Sequence, residues 1–94
     1  MDVKIEGSLV VVTGCTRGLG EALVRYFARE GALVVGCGRS ATALDTLRRE
    51  LGAKHEFAAV DVSDATAVDQ WAASVVERIG APVLLLNNQG PGSG

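Results

Sequence analysis

Thr13-Gly14-Cys15-Thr16-Arg17-Gly18-Leu19-Gly20 joins two stretches of different periodicity, and its place between them decides the fold. On its amino side, Ser8–Thr13 (SLVVVT) is a short unbroken apolar run rich in valine, as expected of a strand buried on both faces of a parallel sheet. On its carboxyl side, Leu19, Ala22, Leu23, Tyr26 and Phe27 recur at helical spacing and predict one apolar helix face. Glycines at such a junction leave main-chain N–H groups approachable at the positive end of a helix dipole, where an anion binds. Gly14 suits a tight turn, Gly18 a close approach and Gly20 the packing of helix on strand. Plain turn chemistry is the structural alternative, since glycine also marks turns and helix ends elsewhere in the chain. The spacing is Gly-x-x-x-Gly-x-Gly, not the Gly-x-Gly-x-x-Gly dinucleotide fingerprint.

The alternation continues outward. Gly31 closes the first helix, and Ala32–Cys37 (ALVVGC) reads as a second strand. Ser40 caps a helix on which Leu44, Leu47 and Leu51 share a face before Gly52 ends it. His55–Val60 (HEFAAV) is a third strand, and Ser63 is the candidate cap of a helix lined by Val68, Trp71, Ala72, Val75, Val76 and Ile79. Trp71 reads as core. Gly80 and Pro82 precede a last strand, Val83–Leu86 (VLLL), and a polar tail. The order βαβαβαβ implies a parallel sheet with right-handed crossovers. A closed barrel shares that order, but the glycine cluster after the first strand favours an open, doubly wound sheet.

The expected fold is therefore an α/β three-layer αβα sandwich over residues 1–94, with a partial parallel sheet in strand order 3-2-1-4. Two helices then cover one face and the third stands alone on the other. That leaves VLLL at an edge and an apolar strip bare, so the sheet looks incomplete.

Composition narrows the function. With 94 residues there is room for one domain, and 48% hydrophobic against 21% charged residues is a globular balance. A net charge of −2 gives no reason to expect nucleic acid or an anionic membrane as partner. No apolar run is long enough for a membrane span and residues 1–8 lack a signal-peptide core, so a cytoplasmic location is expected. Cys15 and Cys37, the only cysteines, read as reduced structural thiols, and no metal site is indicated. His55, the only histidine, starts a strand far from the glycine loop and reads as a surface residue.

TGCTRGLG resembles the TGxxxGxG motif of short-chain dehydrogenases/reductases. Asp61-Val62 after the third strand resembles the family's Asp-Val or Asp-Leu pair at the adenine, and Asn87-Asn88-Gln89-Gly90 resembles its Asn-Asn-Ala-Gly. Gln89 stands where the family has alanine. The resemblance implies a Rossmann-type fold, with 1–94 as the N-terminal portion of an NAD(P)-binding domain. It implies cofactor contacts at Gly14, Cys15, Thr16, Arg17, Gly18, Leu19 and Gly20, at Asp61 and Val62, and at Asn87, Asn88 and Gly90. Gly36–Ser40 (GCGRS) with Gly80-Ala81-Pro82 resembles the plant-type pterin aldehyde reductases of that family.

Charge at the end of the second strand selects the cofactor. NAD-binding members carry an acid there for the ribose 2′-OH. This chain has Arg39, which with Arg17 would reach a 2′-phosphate, so NADP(H) is expected over NAD. The alternative for both arginines is a solvated surface charge, the commoner fate of arginine in general. Asp61 reads alternatively as a helix-start carboxylate with Ser63 and Asp64, and Asn87 and Asn88 as groups satisfying strand-end backbone.

The family's catalytic serine and Tyr-x-x-x-Lys lie beyond the Asn-Asn-Ala-Gly strand, and residues 1–94 hold neither. Tyr26, the only tyrosine, is expected on the first helix's core face and is followed by Glu30, four positions on. The expectation is the NADP-binding portion of an oxidoreductase that moves a hydride between NADP(H) and a carbonyl or alcohol, with no catalytic residue of its own. The alternative is a non-catalytic dinucleotide-binding or scaffold module. The expected partner is the dinucleotide, with a second copy or the complementary half of the fold covering the bare face.

Overall fold

A computed structural model of the chain describes residues 5–87. Its elements are β1 (Leu9–Thr13), α1 (Gly18–Arg29), β2 (Leu33–Gly38), α2 (Ala41–Leu51), β3 (Glu56–Ala59), α3 (Ala65–Arg78) and β4 (Leu84–Asn87). The strands form one parallel sheet in the order β3-β2-β1-β4, as the alternation predicts. Strand ends fall a residue or two from the apolar runs, because the ladder sets them. Asn87, although polar, pairs with Thr13 and extends β4.

Two cores back the sheet. Val10, Val12, Val34 and Phe57 meet Val24 and Phe27 of α1 and Leu44 and Leu47 of α2. On the other face Leu9, Val11 and Val35 meet Val75 of α3, with Trp71 and Leu33 partly buried beside them. Leu44 and Leu47 are each 1% exposed, and burying a leucine contributes about 1.5–3 kcal/mol, so these two anchor α2 on the sheet. No helix among the described residues is long and apolar enough to cross a membrane.

The sheet-facing side of α1 is not the expected stripe. Gly20, Val24 and Phe27 are buried, whereas Leu19 is 65% and Tyr26 47% exposed and Ala22 is exposed. Tyr26 instead rests edge-on against Phe27, ring centroids 5.1 Å apart. The buried face includes Gly20, which has no side chain for an apolar pattern to register. The C-terminus of α1 closes with paired bonds from Gly31 N–H to Ala28 O (3.1 Å) and Ala32 N–H to Phe27 O (3.0 Å), which satisfy two end carbonyls.

Helix starts differ in one place from expectation. Ser40 Oγ accepts from Ala43 N–H (3.2 Å) and caps α2 as predicted. The cap of α3 is Asp64, accepting from Ala67 N–H (3.1 Å), rather than Ser63. Ser63 is drawn away because its N–H and hydroxyl both donate to Asp61.

His55 is likewise not a surface residue. It is 6% exposed, and its Nδ1 accepts from Val34 N–H at 3.0 Å. The β2–β3 ladder begins one residue later, at Val35 and Glu56, so the imidazole supplies the acceptor that the shorter β3 does not. Burial and the nearby Lys54 charge lower the pKa of His55, which favours the neutral ring this bond needs.

On the α3 side, Val83 (50%) and Leu85 (58%) of the β4 segment and Val76 (47%) and Ile79 (38%) of α3 are exposed. Leu85 is in register with buried Val11, so it shares that sheet face and lies uncovered on it.

Candidate functional site

All four parallel strands end along one edge of the sheet. Thr13 is level with Cys37 and Asn87, and Cys37 with Ala58. The glycine loop, Arg39, Asp61 and Asn87 therefore gather where the strands exit, the position at which open α/β sheets bind ligands.

The loop is shaped by its glycines and by what lies beneath it. Gly14 (φ 69°) and Gly18 (φ 48°) adopt left-handed backbone that side chains disfavour. Arg17 occupies the N-cap of α1 in extended backbone (φ −142°), without a side-chain cap bond. The first bond into the helix is Glu21 N–H to Arg17 O, so the amides of Gly18, Leu19 and Gly20 have no acceptor within the helix. Gly18 is exposed and a Cβ there would meet nothing within 4 Å, so the start of the helix lies open at this residue.

Beneath the loop, Cys15 N–H donates to Cys37 O (2.9 Å). A Cβ on Gly36 would stand 2.9 Å from Cys15 Sγ, and one on Gly38 would stand 2.7 Å from Thr16 Cγ2. The two glycines of β2 thus form notches that seat the side chains of Cys15 and Thr16. Cys15 is fully buried and offers a ligand only its main chain. Burial, then the proximity of Cys37, pushes its thiol up to about 12, and burial pushes Cys37 up to about 11 against a lowering bond from the Gly14 backbone. Both are free cysteines held as thiols.

Thr13, 3% exposed, turns its hydroxyl to β4 and donates to Asn87 Oδ1 at 2.6 Å. That bond fixes the exit of β4 against that of β1. Arg39 follows β2 directly, and its Nη1 lies 3.9 Å from Asp61 Oδ1. The same oxygen accepts from Ser63 N–H (3.0 Å) and Ser63 Oγ (2.6 Å), and these bonds, with a smaller contribution from Arg39, hold the Asp61 carboxyl below its ordinary range.

Of the residues singled out in the sequence, Gly14 to Gly20, Arg39, Asp61, Val62 and Asn87 are brought to this one edge. Leu19 is exposed there, Val62 is half-buried and Gly20 is buried in the first turn of α1. Asn88 and Gly90 lie outside the described residues. Sequence reading overlooked the structural part played by Gly36, Gly38, Thr13 and Ser63. Two glycines at i and i+2 within a strand were the available signal, because glycine inside a strand marks close backbone approach.

The short chain dehydrogenase family model matches residues 8–93. The NADPH-dependent pterin aldehyde reductase of Arabidopsis thaliana is 37% identical over 83 residues, which are 86% of this chain and 34% of that protein. The meso-2,3-butanediol dehydrogenase of Serratia marcescens is 37% identical over 89 residues, covering 94% of this chain and 36% of that one. The L-sorbose reductase of Gluconobacter frateurii, solved in complex with NADPH and L-sorbose, superimposes with a TM-score of 0.78 at 35% identity, over 99% of this chain and 37% of its own. The chain thus spans 34–36% of the length of these two curated relatives.

Proposed function

The chain belongs to the short-chain dehydrogenase family, and from that premise we propose that it holds the dinucleotide of an NADP(H)-dependent oxidoreductase acting on a carbonyl or alcohol. The observation that carries this reading is the pairing of an approachable, side-chain-uncapped helix start with a cation at the next strand exit. A pyrophosphate would lie against the amides of Gly18, Leu19 and Gly20, where the dipole of α1 favours negative charge. Cys15 and Thr16 shape the loop from beneath, Gly14 makes its turn, and Gly20 lets α1 sit close to the sheet. Arg39, with Arg17 on the loop, would take the 2′-phosphate. Asp61 and Val62 would meet the adenine, and Asn87, with Asn88 and Gly90 beyond it, the cofactor's other half.

When bound, the nicotinamide supplies or accepts the hydride. The residues of this chain bind and orient, and none of residues 1–94 forms a Tyr-x-x-x-Lys. NADP(H) over NAD(H) is supported by Arg39 in place of an acid, and by NADPH in the names of two of the similar proteins.

Titration of the chain with NADPH and NADH tests the reading. NADPH should bind about tenfold more tightly, and Arg39→Ala should remove most of that margin, since a hydrogen bond to a charged group contributes about 1.5–3 kcal/mol before solvent screening. Tighter NADH binding would overturn the assignment of Arg39. A second reading, a non-catalytic module that pairs with another subunit or copy, draws support from the uncovered Val83 and Leu85. Under it, the chain binds dinucleotide and a partner that covers β4.

A further inference from the structure

Arg39 is not a lone cation. Its Nη1 stands 3.9 Å from Asp61 Oδ1, beyond hydrogen-bond range, so its donors remain available while its charge is offset. The carboxylate is fixed in place, because both the N–H and the hydroxyl of Ser63 donate to that same oxygen. The strand exits are themselves tied together, with Val60 N–H donating to Gly38 O at 2.9 Å. Asp61 therefore faces Arg39 as part of the fold. Both side chains are about half exposed (51% and 55%), so water attenuates their interaction without abolishing it.

Resting on the dinucleotide reading above, we propose that Asp61 is a specificity-determining residue, whose fixed negative charge opposes the 2′-phosphate at Arg39 and so limits the preference for NADP(H) over NAD(H). A phosphate held by Arg39 lies within about one Debye length of Asp61, ~8 Å at 0.15 M salt. Repulsion across such a gap in a wet site weakens binding about three- to tenfold. Any contact of Asp61 with the adenine is common to both nucleotides and cancels in the ratio of their affinities.

The test is calorimetric titration of the full chain with 2′,5′-ADP and with 5′-AMP, which differ only in the 2′-phosphate, for wild type and Asp61→Asn. Asparagine keeps an oxygen for Ser63, and circular dichroism checks that the variant folds. The affinity ratio of 2′,5′-ADP to 5′-AMP should rise about three- to tenfold in Asp61→Asn, and by less at high salt. An unchanged ratio, with both affinities lowered together, would leave Asp61 an adenine contact only and overturn the proposal. A fallen ratio would overturn it as well, by making Asp61 a support for Arg39. If wild type binds neither nucleotide, the dinucleotide reading itself fails and takes the proposal with it.

Discussion

Cys15 rests against Gly36, with its Sγ 2.9 Å from where a Cβ on that glycine would stand. The contact is made in a closed interior, since Cys15 is fully buried and Phe57 would crowd the same added carbon at 3.3 Å. Gly36→Ala should therefore cost about 1–3 kcal/mol of stability, the usual effect of forcing a methyl into a filled core. Urea denaturation measures it. Cys15→Gly in the same chain should return part of the loss by emptying the notch, whereas Cys15→Gly alone should destabilise.

Stability should fall on mild acidification through His55. Its pKa is lowered in the folded chain, so the unfolded chain binds the extra proton more readily. The contribution of the neutral ring is complete above the unfolded value of about 6.5 and is lost as pH falls from there through the folded pKa. The slope is at most about 1.4 kcal/mol per pH unit. Urea midpoints across this range should show it, and His55→Gln, which retains an acceptor for Val34 N–H but does not titrate, should flatten the curve.

Thr13→Val should cost only about 0.5–1.5 kcal/mol. Valine fills the same space, and although the hydroxyl is buried, its partner Asn87 is exposed and turns to water for a replacement bond. The larger effect should be on nucleotide affinity, because the Asn87 side chain loses the bond that orients it, while the backbone pairing of β4 with β1 remains. Parallel melting and NADPH titration separate the two effects.

The 94-residue chain should self-associate in solution, a second copy covering the face where Leu85 is 58% exposed. Sedimentation velocity should show mass rising with concentration. Leu85→Lys should shift the chain toward monomer, because a charge on that face opposes burial and edge pairing.

The sheet order was legible because a valine run, a glycine loop and alternating helices leave few arrangements. What the sequence concealed has a common cause: residues whose role comes from a neighbour distant in the chain. Gly36 reads as a gap in a strand until Cys15 is placed over it. His55 reads as polar surface until Val34 is seen to need an acceptor. Ser63 reads as a helix cap until Asp61 takes both its donors. The α1 stripe was misread for a related reason, since hydropathy does not register Gly20, which is buried with Val24 and Phe27. The gathering of the strand exits along one edge follows from the strand order, but the ion pair across two of them was not legible, because Arg39 and Asp61 are 22 positions apart and meet only through the β2–β3 pairing.

Arg39, Asp61 and Ser63 are all exposed side chains on connecting segments, and none packs into either core. Substitution of Arg39 should change folding free energy by less than about 0.5 kcal/mol, and loss of an exposed Asp61–Ser63 bond costs no more than one ordinary solvent-screened hydrogen bond. The face proposed to read the adenosine ribose is thus separable from the fold: its charges can be altered while the cradle beneath the loop stays the same.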